Sequence, residues 1–188
     1  LTILGTFAEL GGSVSVYITA FFLPSHAVRT LHLSPTAAVV SGIVSSLTLF
    51  AAAPLAGRLA DRVSRKHVLV TSRIVLLLSV YPAFALLQQS PSLATLITVQ
   101  SLLGLLITLY FAPLPALMAE IFPANMRTSG LSLSYNLGVT LFGGFAPFVL
   151  TGLGSITGDP LSPSYYVMFG AIASGWAIWG ARRRLNLQ

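Results

Sequence analysis

The sequence contains no cysteine and very few charged residues. Charged side chains make up 7% of its 188 residues and hydrophobic ones 55%, whereas a soluble domain carries roughly 25% charged residues. The lack of cysteine excludes a disulfide framework, a thiol metal site and a thiol nucleophile. The scarcity of charge excludes a soluble fold, because so few charges could not cover the surface of a domain this large. A membrane protein is the class that remains.

The positions of the basic residues argue against nucleic-acid binding, although the formal net charge is +6. The basic residues fall in short connectors between apolar runs, not on a water-facing patch interleaved with aromatic residues. His26, His32 and His67 also fall in predicted connectors and share no metal-like spacing with acidic residues. No Ser/His/Asp set occurs within the apolar runs. The sequence therefore predicts no enzyme, no metal site, no cofactor and no nucleic-acid partner.

Six apolar runs follow one another along the chain, separated by proline, glycine and charged residues. Each has about 16 to 27 residues, near the about 20 that a helix needs to cross the hydrocarbon core. The runs do not alternate polar and apolar residues as the strands of a membrane barrel do. The predicted fold class is an all-α integral membrane protein with six transmembrane helices. The predicted spans are Leu1–Pro24, Pro35–Gly57, Val68–Leu87, Leu93–Ala119, Leu131–Leu153 and Tyr165–Gly180.

The basic residues orient these spans. Eight of the ten lie on one side of the membrane if the six spans alternate in direction. Arg29 stands alone on the other side, and Arg73 lies inside the third span. The positive-inside rule then places both chain ends in the cytoplasm. The eight residues are Arg58, Arg62, Arg65, Lys66, Arg127, Arg182, Arg183 and Arg184.

The chain opens inside an apolar segment, with neither an initiator Met nor a preceding loop. Secondary transporters commonly consist of two six-helix halves with the substrate site between them. We therefore expect residues 1–188 to form one six-helix transmembrane domain, a fragment of a twelve-helix carrier whose other half is its partner.

The connector after the second span reads GRLADRVSRK, from Gly57 to Lys66. It resembles the GxLaDRxGRR/K loop signature of the major facilitator superfamily and departs from it at Ser64, where the family usually has Gly to make a tight turn. The acidic and basic side chains could form a charge-assisted network with a neighbouring helix end and so hold one access state. Charges that only set the orientation are the alternative. The candidate gating residues are Gly57, Asp61, Arg62, Arg65 and Lys66.

A second stretch, residues 119–166, narrows the resemblance. Its segments AEIFPANMR, GLSLSYNLG, FGGFAP and TGDPLSPSYY resemble the metabolite:proton symporter branch of the superfamily, and the citrate and tricarballylate symporters most of all. The resemblance implies the C-terminal half of a carrier in the bacterial inner membrane. It also implies proton-coupled symport of a small organic anion by alternating access, with citrate or another tricarboxylate favoured. Shikimate, 2-oxoglutarate, a dicarboxylate, or proline and betaine are the alternatives within the branch, and a non-transporting scaffold or degenerate half-carrier is the alternative outside it.

The resemblance also implies which spans line the substrate cavity, namely the first, second, fourth and fifth. On the first span, Glu9, Ser13 and Tyr17 are spaced four apart and form a polar stripe. Tyr17 matches a Tyr of the relatives, and its hydroxyl could bond a substrate carboxylate. Glu9 has no counterpart in the family pattern. It is the candidate for proton coupling, because desolvation favours a protonated carboxyl, unless it lies near the cytoplasmic face.

The other candidates for substrate binding lie on the fourth and fifth spans. Gln100 and Tyr110 lie within about 80° of each other on a helix, and Tyr110 matches a family Tyr. Tyr135 and Asn136 belong to a span with one polar or small face, which either faces water or packs closely on another helix. Arg73, on the third span, is expected to snorkel back to the cytoplasmic surface or to meet anionic lipid.

Overall fold

The structure, a computed structural model, describes the backbone of residues 1–185 and the side chains of residues 1–180. All the regular secondary structure of the described residues is helical. Within residues 1–185, nine α-helices are interrupted by two short π-helical segments, at Tyr17–Phe22 and at Val139–Gly144. The α-helices are α1 Thr2–Val16, α2 Leu23–Arg29, α3 Pro35–Arg62, α4 Arg65–Gln89, α5 Leu93–Phe111, α6 Leu114–Ile121, α7 Arg127–Gly138, α8 Ala146–Thr157 and α9 Ser162–Leu185.

Five continuous helical segments of the described residues are long and apolar enough to cross a membrane. They correspond to the first five predicted spans. The sixth predicted span falls on α9, which is not among these five, so the count of six stays a prediction. The five segments are Thr2–Arg29, Pro35–Arg62, Arg65–Gln89, Leu93–Ile121 and Arg127–Thr157.

Several helical segments extend beyond the bounds of the spans predicted from the apolar runs. The first continues past Pro24 to Arg29, because Pro24 lies in the first turn of α2, where a missing N–H costs no hydrogen bond. Prolines interrupt two other spans. Around Pro113 and Pro115, α5 ends at Phe111 and α6 begins three residues later. A second break precedes Pro147, at the start of α8.

Short polar residues define where several helices start and stop. Ser34 caps α3 by accepting a hydrogen bond from the backbone N–H of Ala37 at 3.1 Å. Ser92 caps α5 in the same way, through the N–H of Thr95 at 3.1 Å. Such caps satisfy backbone donors that have no partner within the helix. At the other end of α8, Gly158 adopts the left-handed conformation that closes many helices.

The first span is the central helix of the bundle. In the most apolar 18-residue stretch of this span, 67% of the residues are buried, whereas in the corresponding stretch of α3 only 11% are buried. It packs against α7 and α9, while α4 packs against α5 and α9, and α3 lies on the outside of α5. The large apolar side chains left exposed on α3, such as Phe50 and Leu47, suit contact with lipid or with another protein domain. The centre of the bundle therefore lies around α1.

Candidate functional site

A cavity of about 310 Å³ opens beside the first span. Its walls come from the first span, the last residue of α5 and the fifth span, which are three of the four spans expected to line a substrate site. The second span contributes no lining residue among those described. The cavity is lined by Glu9, Ser13, Val16, Tyr17, Phe21, Phe111, Tyr135, Val139, Gly143 and Gly144.

Glu9 provides the charged group of this cavity wall. Its side chain is only 1% exposed, and its Oε1 accepts a hydrogen bond from the Ser13 hydroxyl at 3.2 Å. That bond is local, since it joins two residues one helical turn apart. Burying a carboxyl this far from water is costly unless a cation or several hydrogen-bond donors compensate. The predicted polar stripe is therefore present and contributes to the cavity.

Small residues let the fifth span approach Glu9. A Cβ atom at Gly138 would collide with Cβ and Cγ of Glu9. Nearer the start of α1, a Cβ atom at Gly5 would collide with the side chain of Ser134. The close packing of small residues that was one of the two interpretations of the fifth span is thus observed between α7 and α1. The other face of the same span opens to the cavity, so both interpretations apply to different residues.

Each of the two main walls of the cavity contains a π-helical segment. In the first span it runs over Tyr17–Phe22, and in the fifth over Val139–Gly144. A π-segment changes the direction of the side chains that follow it and often occurs at functional sites. In the first span it also leaves the carbonyl of Thr19 to accept a hydrogen bond from Gln100 Nε2 at 3.1 Å.

The opposite face of α1 is closed by a buried arginine. Arg73 is 2% exposed, and its Nη1 donates to the carbonyl of Gly11 at 3.0 Å and to Ser15 Oγ at 3.2 Å. Its guanidinium carbon lies 3.2 Å from the centre of the Tyr110 ring, a cation–π contact. The prediction that Arg73 snorkels to the surface is therefore wrong. The helix interior offers this guanidinium two oxygen acceptors and an aromatic face, which replace part of its hydration.

The predicted substrate-binding residues separate into two groups. Tyr17 and Tyr135 line the cavity, and Tyr135 is 46% exposed. Tyr110 and Gln100 are buried away from it, at 0% and 2% exposure. The Tyr110 hydroxyl donates to the carbonyl of Ala8 at 2.6 Å. Asn136 is exposed but does not line the cavity, and its amide donates to the carbonyl of Ser132 at 2.8 Å.

The predicted gating residues surround one ion-paired cluster. Arg65 donates to Glu120 at the end of α6 at 2.9 Å and lies 3.5 Å from Asp61. The expected network between the connector and a neighbouring helix end is therefore present. Gly57 and Arg62 belong to the last turns of α3, and Lys66 to the first turn of α4. Ser64 has an extended backbone with φ 165°, so its replacement of the family Gly introduces no left-handed strain.

Two residues that shape the site were not assigned to it from the sequence. Phe111 closes the cavity at the end of α5 and would collide with a Cβ atom at Gly12. The buried environment of Arg73 depends on acceptors 62 and 58 residues away in the sequence. The signal available for Arg73 was a charge inside an apolar run, which is by itself a reason to suspect an interior function.

The bundle, with five described segments long and apolar enough to cross a membrane, defines a multi-pass helical membrane protein. Residues 5–185 match the family model of the Major Facilitator Superfamily, and the chain belongs to that superfamily. It is 31% identical over 160 residues to a citrate-proton symporter of Klebsiella pneumoniae, covering 85% of this chain and 36% of that protein. It is 35% identical over 151 residues to an ectoine/proline transporter of Corynebacterium glutamicum, covering 79% of this chain and 29% of that protein.

A citrate-proton symporter of Salmonella typhi is 26% identical over 168 residues, covering 89% of this chain and 39% of that protein. The chain thus spans between 29% and 39% of the length of these curated relatives. No solved structure matches the chain.

Proposed function

We propose that the carrier to which this chain belongs performs proton-coupled symport of a small organic anion, with citrate or another tricarboxylate as the favoured substrate. The observation that carries the proposal is Glu9, a carboxyl buried in the wall of a largely apolar cavity. Two relatives named as citrate-proton symporters support the same assignment. An intramembrane carboxyl of this kind is costly unless it has a function.

The proposed mechanism is alternating access between two six-helix halves, of which residues 1–188 form the C-terminal one. Substrate binds between the halves, and Glu9 takes up a proton on the side where protons are abundant. Neutralising this carboxylate removes a negative charge that would repel the incoming anion. Release of the proton on the other side restores the repulsion and favours release of the substrate.

Hydroxyl groups would orient the substrate within this half. Tyr17 and Tyr135 lie on the cavity wall, where their hydroxyls can donate to a carboxylate. Gln100 and Tyr110 support the first span from the packed side, and their contact with substrate stays a prediction, as does that of Asn136. The main cationic partner of the anion would come from the other half of the carrier.

The ion-paired connector is the proposed gate. Arg65 joins Asp61 to Glu120 and so ties the connector after α3 to the end of α6. Both carboxylates are exposed, so rearrangement in the other access state costs little. Asp61→Asn is expected to reduce transport under this proposal. A non-transporting scaffold would tolerate the same substitution.

A second candidate substrate class is a zwitterion such as proline or betaine. Among the described residues that line the cavity, Glu9 is the one with a charged side chain. A carboxylate can pair with a quaternary or secondary ammonium group but not with an anion. Relatives named as proline/betaine and ectoine/proline transporters are consistent with this alternative.

Uptake by the full carrier in proteoliposomes tests both candidates. Labelled citrate and labelled betaine would be offered with and without an inward proton gradient, in vesicles without a membrane potential. Gradient-dependent uptake of citrate supports the first proposal, and that of betaine alone supports the second. Absence of gradient-driven uptake of every organic anion and zwitterion of the branch would contradict the proposed function and favour the scaffold.

We also propose that residues 1–188 cross the bacterial inner membrane six times, with both ends of this stretch in the cytoplasm. The ion-paired connector and the residues after α9 would then share one side, where the basic residues concentrate. The side chains of Arg182, Arg183 and Arg184 lie outside those that the structure describes. Single cysteines at Lys66 and at Asp159 should react with an impermeant reagent from opposite sides of the membrane. Reaction from the same side would overturn the topology.

A further inference from the structure

A groove separate from the substrate cavity lies between the start of α4 and the later turns of α9. It encloses about 260 Å³ and shares no lining residue with the cavity beside Glu9. At the end where α4 begins, its walls are polar and basic, with Ser64, Lys66 and His67. Deeper along α4 and α9 they become apolar, with Val70 and Ile178, and Trp179 completes the wall.

We propose that this groove binds an anionic phospholipid, with the headgroup phosphate beside Lys66 and one acyl chain along the apolar walls. Among the described residues that line the groove, Lys66 carries a positive charge and no carboxylate is present, so the described charge at its mouth has the sign that attracts a phosphate. Basic pockets between transmembrane helices at the membrane surface suit anionic headgroups. In the proposed orientation, the indole of Trp179 lies near the cytoplasmic surface of the membrane, where tryptophan rings contact lipid headgroups.

The apolar part of the groove distinguishes a lipid from a free anion. Val70 is 37% exposed and Trp179 48% exposed, so both offer surface to a hydrocarbon chain. A second, apolar groove of about 240 Å³ lies on the other side of the first turns of α4 and shares His67 and Thr71 with the first. Inorganic phosphate would use none of this apolar surface, whereas a phospholipid uses both the charge and the surface.

Gly175 borders open space in the groove. A Cβ atom at this position would meet no heavy atom within 4 Å, although the residue lines the groove. A larger side chain there would occupy the groove without colliding with the protein. Gly152 on α8 is a matched control, since a Cβ atom there also meets nothing within 4 Å and the residue lies outside both grooves.

Native mass spectrometry of the full detergent-purified carrier tests the proposal. Phosphatidylglycerol and phosphatidylcholine with identical acyl chains would be titrated separately against the wild type and four variants. We expect phosphatidylglycerol to bind more tightly. Lys66→Gln should weaken it about fivefold, as expected for ~1 kcal/mol per basic residue near an anionic surface. Lys66→Arg should retain the affinity, because it keeps the charge.

The two glycine variants locate the site. Gly175→Leu should weaken binding of phosphatidylglycerol at least as much as Lys66→Gln, while Gly152→Leu should leave it unchanged. Equal binding of the two lipids, or equal affinity in Gly175→Leu and wild type, would overturn the proposal. Displacement of the lipid by millimolar inorganic phosphate would show a site for the free anion and would also overturn it. Because the readout is lipid affinity, the result does not depend on which solute the carrier transports.

Discussion

The two faces of α1 use polar groups in opposite ways. On the cavity face, Glu9 has one hydrogen bond from the described protein atoms, and its donor belongs to the same helix. On the packed face, the carbonyls of Ala8 and Gly11 and the hydroxyl of Ser15 accept hydrogen bonds from α4 and α5. The two faces lie roughly 180° apart around the helix.

This difference separates residues that are available to a ligand from those that hold the bundle together. A polar group whose partners all come from neighbouring helices contributes to stability and is costly to leave unpaired. A polar group with only a local partner can exchange it for a substrate or a proton. Hydrogen-bond partners therefore distinguish the two classes better than polarity or residue type.

The largest expected effect is on the cavity face, at Glu9. Glu9→Gln keeps the shape of the side chain but cannot exchange a proton, so it should remove the coupling between proton and substrate. In vesicles with an inward proton gradient and no membrane potential, the accumulation ratio of the transported solute should fall to about 1. Ser13→Ala, on the same face, should retain accumulation. A Glu9→Gln carrier that accumulates solute as the wild type does would remove Glu9 from the coupling mechanism.

The second largest effect is expected on the packed face, as a loss of stability. Arg73→Ala removes two hydrogen bonds and the contact with Tyr110, and it leaves a void in the bundle. We expect the free energy of unfolding to fall by about 3 kcal/mol, measured as a lower thermal midpoint of the detergent-solubilised carrier. Arg29→Ala, at the exposed last residue of α2, should have no such effect. Equal midpoints for the two variants would mean that the buried contacts of Arg73 contribute nothing.

A smaller loss of stability is expected at Gly11 on the same face. A Cβ atom there would collide with the side chain of Ser174 and with the carbonyl of Gly170. Gly11→Ala should therefore separate α1 from α9 and cost about 2 kcal/mol. Gly175→Ala, on α9 but facing open space, is the control and should cause no loss. The thermal midpoints of the two alanine variants measure the difference directly.

The smallest effects compare tyrosines on the two faces. Tyr17→Phe and Tyr135→Phe should each weaken substrate binding about fivefold, the ~1 kcal/mol of one hydrogen bond, without changing the thermal midpoint. Tyr110→Phe should lower the thermal midpoint, because its hydroxyl is bonded to the carbonyl of Ala8. Substrate binding by isothermal calorimetry and thermal unfolding separate these outcomes. A loss of affinity in Tyr110→Phe alone would invert the assignment of the two faces.

Much of the fold could be predicted from the sequence because membrane spans obey simple rules of length and polarity. The breaks near Pro113 and Pro147 followed from proline chemistry. The network around Asp61 and Arg65 followed from a motif with known charges. The sequence could not predict which polar residues of α1 face the cavity and which face the packed helices. Glu9 and Ser15 look equally suited to a polar stripe when the neighbouring helices are unknown.

The sequence by itself determined that this is a helical protein of the lipid membrane, because that depends on the local succession of apolar, polar and helix-breaking residues. It also indicated the superfamily, through the resemblance of the connector Gly57–Lys66 and of residues 119–166 to family motifs. Only the tertiary structure decided that Arg73 points inward, that Tyr110 lies behind the cavity wall and that Tyr135 lies on it. These placements depend on contacts between residues far apart in the chain, such as Tyr110 and Ala8, 102 residues apart. Helix periodicity describes which residues share a face, but the packing of the other helices determines what that face meets.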